Sequence, residues 1–96
     1  MKMITIRGID FQRPSEIHEF LEQELSFPEY YGRNLDALYD VLTDISEETE
    51  ISIDMNDMED NALREYLARL TRVCEDAAKA NDSIKVNIGV RPPKGV

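Results

Sequence analysis

Ninety-six residues, 42% hydrophobic and 32% charged, describe one small soluble globular domain that can bury a core without disulfides or metals. Twenty acids against 11 Lys and Arg give a net charge of −9, which repels nucleic acid and anionic lipid and favours a basic protein as partner. Apolar runs are only a few residues long and Cys74 is a single cysteine, so the expectations are no transmembrane span, no secretory signal and a reducing, cytoplasmic location.

In chain order, Ile4 and Ile6 flank Thr5 with the two-residue period of a strand. Ile17, Phe20, Leu21 and Leu25 form a helical stripe entered through Pro14-Ser15, with Ser15 as the expected cap and His18 on the surface by default. A second helix runs from Asn34 to Thr43. Ile51, Ile53 and Met55 then alternate as a second strand. Leu63, Tyr66, Leu67, Leu70, Cys74, Ala77 and Ala78 mark the longest helix, which Asn81-Asp82-Ser83 ends. Ile84, Val86, Ile88 and Val90 alternate as a third strand, and residues 91–96 read as an extended or frayed tail beyond a single domain of residues 1–90.

Both crossovers contain helices, which predicts parallel strands. Alternating strands have only one apolar face, so the helices are expected mainly on one side. Right-handed crossovers on that side give the order 1-2-3. The predicted fold class is a two-layer α/β domain.

Ten carboxylates and no Lys or Arg lie between Asn34 and Leu63. At about 100° per residue, Leu35, Leu38, Val41 and Leu42 share one face of the second helix, leaving Asp36, Tyr39, Asp40 and Thr43 on the other. Asp36 suits the positive end of the helix dipole. Asp40 has acids on both sides at the four-residue spacing, Asp36 and Asp44, and such like-charge pairs cost about 0.2–0.5 kcal/mol each. Arg33 is placed to offset Asp36; nothing local offsets Asp40. A solvated helix face is the plain alternative, but Tyr39 between the acids, with Tyr30 and Tyr31 just before the helix, resembles an interface anchor cluster. One of Tyr30 and Tyr31 is expected in the core. Gly32 is read as supplying a positive φ or a close backbone approach, and Asn34 as the helix cap.

The run Phe27-Pro28-Glu29-Tyr30-Tyr31-Gly32-Arg33-Asn34-Leu35-Asp36-Ala37-Leu38-Tyr39-Asp40-Val41-Leu42 closely resembles the signature segment of the barstar family, intracellular inhibitors of the ribonuclease barnase. The resemblance implies the same parallel three-stranded fold, with the second helix and its preceding turn plugging a ribonuclease active site. On that basis Asp40 matches the acid at the phosphate position, Asp36 a second acid paired with enzyme cations, and Tyr30 an aromatic against the catalytic histidine. Gly32 and Asn34 match the turn and rim, Thr43 the far end of the helix, and Asp76 an acidic contact on the last helix. Tyr39 stands where the family pattern has Trp, and Arg33 where it has an acid. The acids from Asp44 to Asp60 read as a steering field and solvated surface.

The implied partner is therefore a basic ribonuclease of barnase type, bound by a chain that is monomeric when free and needs no cofactor or metal. A module of the same fold that regulates another basic protein is the second reading, and an enzyme the third. Asp54, Asn56, Asp60 and Glu65 superficially match a calcium loop, but Met58 and Glu59 occupy positions that need a ligand and a glycine. An Asp36–Asp40 hydrolase dyad has no cleft on an exposed helix face. His18 is a single histidine, too few for a zinc site or triad, and Cys74 lies on an apolar stripe.

Overall fold

Periodicity decides the architecture strand by strand. In the computed structural model, which describes residues 1–89, β1 (Lys2–Arg7), β2 (Thr49–Asp54) and β3 (Ile84–Ile88) form one parallel sheet in the order β1-β2-β3. Ile4 pairs with Ile51 and Ile51 with Val86; Ile6 pairs with Ile53 and Ile53 with Ile88. This register puts Ile4, Ile6, Ile51, Ile53 and Ile84 on one buried face, while Met3, Thr5 and Arg7 face outward. The helices α1 (Pro14–Glu24), α2 (Leu35–Thr43) and α3 (Asn61–Ala80) close over the apolar face. A short 3-10 turn, Gly8–Asp10, follows β1. Val90 and the tail expected over 91–96 lie outside the described residues.

The start of α1 differs from expectation. Pro14 takes the first helical position, where its fixed φ fits and its missing N–H costs nothing, so the residue before it, Arg13, becomes the cap. Ser15 is already inside the helix. Glu16 Oε1 instead accepts the Gln12 N–H at 2.7 Å.

Two leucines seat α2. Leu38 and Leu42 are fully buried, and removing such a side chain from water is worth roughly 1.5–3 kcal/mol each. That outweighs the few tenths lost to like charges on its opposite face. At the far end, Asn81 Nδ2 donates to the carbonyl oxygens of Leu42 (2.9 Å) and Ile45 (2.8 Å), pinning the C-terminus of α2 to the C-terminus of α3. The acidic helix is thus held at both its apolar face and its end.

Candidate protein-binding face

The turn before α2 sends two adjacent tyrosines in opposite directions. Tyr31 is buried, its ring edge-on to Phe27 with centroids 4.8 Å apart. Its N–H donates to the Pro28 carbonyl at 3.0 Å, which tightens the turn. Tyr30 is left 85% exposed, an aromatic ring carried on a backbone whose neighbour is locked in the core.

One expectation for the first helix fails here. His18 is buried, not on the surface: its Nδ1 meets the Tyr31 hydroxyl at 2.5 Å and its Nε2 the Tyr66 hydroxyl at 2.7 Å. The ring thereby ties α1, the turn and α3 together. With one N–H and one lone pair, a neutral imidazole satisfies both hydroxyls, so it enters the core without an orphaned polar atom. Burial, and secondarily the nearby Arg33 charge, lower its pKa from 6.5 and keep it neutral. Burial likewise raises the Tyr31 and Tyr66 hydroxyls. The available sequence signal was spacing: His18, Leu21 and Leu25 stand at i, i+3 and i+7, the same face of α1. Cys74 is core as expected, its thiol pushed up to about 12 by burial.

Left-handed backbone falls at Arg33, with φ 55°, and Gly32 is not in that region. The close approach expected of Gly32 is there: an added Cβ would lie 3.2 Å from Asn34 Nδ2 and 3.4 Å from Ala37 Cβ. Arg33 does not offset Asp36. Its guanidinium reaches back to α1, with Nε 3.0 Å from Glu22 Oε1 and Nη1 3.7 Å from Glu19 Oε2. Two carboxylates on α1 outweigh one on α2.

Asn34 caps α2 as its type predicts, Oδ1 accepting the Ala37 N–H at 2.8 Å. Along the outer face Asp36 and Asp40 are exposed, and Tyr39 beside them is 38% exposed. Among the described residues neither carboxylate has an ion-pair partner. Thr43 is half-buried and its hydroxyl donates to the Asp40 carbonyl at 2.9 Å, so it braces the helix end. Asp44 is the C-cap residue, and the last turn of α2 contains no basic side chain. Asp76 sits exposed on α3 five residues before Asn81, with Arg72 and Lys79 one turn away on its own helix. The structure therefore gathers Tyr30, Gly32, Asn34, Asp36, Tyr39 and Asp40 on one turn and helix face. Asp76 stands on the neighbouring helix among cations of its own.

These features define a two-layer α/β domain with a parallel three-stranded sheet and an exposed, uncompensated acidic helix. A family model described as Barstar (barnase inhibitor) matches residues 1–91, and the chain belongs to that family. It is also 54% identical over 43 residues to a Bacillus subtilis (strain 168) protein named "Putative ribonuclease inhibitor YrdF". That match covers 45% of this chain and 47% of the relative, about half of each. Among the described residues no helix is long and apolar enough to cross a membrane.

Proposed function

We propose that this chain inhibits a basic ribonuclease of barnase type by placing the outer face of α2 and the turn before it over the enzyme's active site. The observation that carries the reading is the pair Asp36 and Asp40, exposed on one helix face without ion-pair partners among the described residues, beside an 85% exposed Tyr30. A site that binds RNA phosphates is cationic, and carboxylates about one helical turn apart present it with substrate-like charges on a rigid frame. Asp40 takes the phosphate position, Asp36 pairs with a second enzyme cation, and Tyr30 packs on the catalytic imidazole. Gly32 and Asn34 let the turn approach closely, Tyr39 and Thr43 border the plug, and Asp76 adds a contact from α3. The chain performs no catalysis of its own and binds as a cytoplasmic monomer. Family membership and the name of the Bacillus subtilis relative support this reading.

The test is a ribonuclease assay in which barnase, and basic ribonucleases encoded beside this gene, are titrated with the purified chain. Stoichiometric inhibition that Asp40→Ala weakens is the expected result; equal inhibition by Asp40→Ala would falsify the mechanism. A second reading, regulation of a different basic protein by the same face, is favoured by Arg33 and Tyr39, which replace the acid and the Trp of the family pattern. Recovery of a basic protein without nuclease activity, in a complex that Asp36→Asn abolishes, would support it.

A further inference from the structure

Beside the plug face the structure has a groove that the acidic helix alone does not explain. It is about 200 Å³ in volume and lies between the segment leading into the Tyr30 turn and the C-terminal half of α2. Phe27, Pro28, Val41 and Ile45 line it with apolar surface, and Tyr30 and Asp44, both exposed, line it as well. Tyr30 belongs to both the groove and the plug face, so the two are continuous.

The electrostatics of this groove are one-sided. Helix C-termini carry partial negative charge and are stabilised by Lys, Arg or protonated His in the last turn. The last turn of α2 has no basic residue and is capped by Asp44, four residues after Asp40. Among the described residues Asp44 has no ion-pair partner. Apolar lining beside an exposed carboxylate matches one kind of occupant, a side chain with an aliphatic stem and a cationic head. Arginine fits best, because its planar, weakly hydrated guanidinium can stack on the Tyr30 ring while donating to a carboxylate.

Resting on the inhibitor reading, we propose that the Tyr30–Val41–Asp44 groove receives an arginine side chain of the bound ribonuclease, outside the active site that α2 covers. Asp44 is then a contact and specificity residue, distinct from Asp60, which caps α3, and from Asp54 and Glu50, which accept hydrogen bonds from Asn56 and Asn87.

Two measurements test this separately from inhibition itself. In the first, 15N–1H spectra of the purified chain are titrated with N-acetyl-arginine methylamide and with its uncharged citrulline counterpart. Saturable shifts at Tyr30, Val41, Asp44 and Ile45, produced by the arginine compound alone and lost in Asp44→Asn, are expected. Equal shifts with citrulline, persistence in Asp44→Asn, or shifts spread evenly over all surface acids overturn the proposal. In the second, affinities for barnase are compared among wild type, Asp40→Ala and Asp44→Asn. A weakening of about two- to fivefold by Asp44→Asn, carried by faster dissociation, supports the groove, the size belonging to a solvent-accessible charge pair. If Asp40→Ala weakens binding and Asp44→Asn does not, the groove is refuted and the inhibitor reading stands. If barnase is not bound at all, the inhibitor reading is in question and the arginine titration alone decides the groove.

Discussion

Helices α2 and α3 solve the same packing problem and then diverge at the surface. Each is capped by an Asx side chain that accepts the N–H three residues on: Asn34 from Ala37 at 2.8 Å, Asp60 from Leu63 at 3.1 Å. Each buries a leucine face, Leu38 and Leu42 in one, Leu63, Leu67 and Leu70 in the other. On its outer side α3 sets Glu65 four residues from Arg69, Arg72 from Asp76 and Glu75 from Lys79, opposite charges at the spacing where side chains are neighbours although none of the three closes to an ion pair, and it ends with Lys79 near its negative pole. On α2 that spacing links Asp36 to Asp40 and Asp40 to Asp44, with no base in the last turn. One helix alternates charge sign along its surface and carries a base at its negative pole. The other carries one sign only, and under the inhibitor reading the missing positive charge comes from the partner.

The sharpest way to break this comparison is at Asp40. Under the inhibitor reading Asp40→Ala removes a desolvated charge at the centre of the contact, with an expected loss of about 2–5 kcal/mol in affinity, mainly in the dissociation rate. Asp76→Asn, exposed on α3 with Arg72 and Lys79 one turn away, should cost less than about 1 kcal/mol, the range of exposed charge interactions. Kinetics of both variants against barnase, at low and high salt, read the difference. Equal losses at Asp40 and Asp76 mean that the acids act only as a diffuse field.

Next in size is the support beneath the turn. Tyr31→Phe leaves His18 Nδ1 without its hydroxyl partner in the core, a loss of about 1–3 kcal/mol in unfolding free energy. Its pH dependence has a definite sign. The folded-state pKa of His18 lies below 6.5, so on acidification the unfolded chain takes up the proton first. The stability from the neutral ring is complete above that value and is lost as pH falls below it. Urea unfolding between about pH 7 and 5 should therefore show a decline in wild type that is smaller in His18→Phe, which has no imidazole to titrate. Equal slopes would remove His18 from the account.

The two caps provide a matched pair of smaller effects. Asn34→Ala and Asp60→Ala should each lower stability by about 1 kcal/mol, since each strips one N–H acceptor from a helix start. Only Asn34→Ala should also weaken ribonuclease binding, because it frays the turn that carries Tyr30. A cap loss at Asp60 that weakened binding as much would mean that global stability, not local placement, governs the face.

What the sequence made legible follows from how local each cause was. The sheet order and the leucine faces come from period-two and period-3.6 patterns that need no partner elsewhere, and the Asn34 cap is a contact three residues long. The Arg33–Glu22 pair and the His18–Tyr31–Tyr66 junction join positions 11, 13 and 48 residues apart, beyond any local pattern. Ser15 was misplaced because Pro14 and Ser15 both signal a helix start, and the proline's fixed φ prevailed. The acidic face was legible through an absence, the lack of bases at spacings where α3 has them. The arginine of the partner, if the groove takes one, lies in another chain's sequence.

The smallest effect is the most discriminating. Asp40→Asn keeps the shape of the side chain and removes the like-charge contacts with Asp36 and Asp44. The free chain should gain about 0.2–0.5 kcal/mol per pair relieved. The same substitution should weaken inhibition, because the amide cannot neutralise a phosphate-binding cation. A solvated face predicts the first change without the second, and a residue needed for folding predicts a loss in both. Stability and binding moving in opposite directions on one exposed, isosteric substitution is the signature of a charge kept for a partner against the interest of its own helix. Denaturation and inhibition measured on the same preparation of Asp40→Asn therefore separate the three meanings of the acidic face.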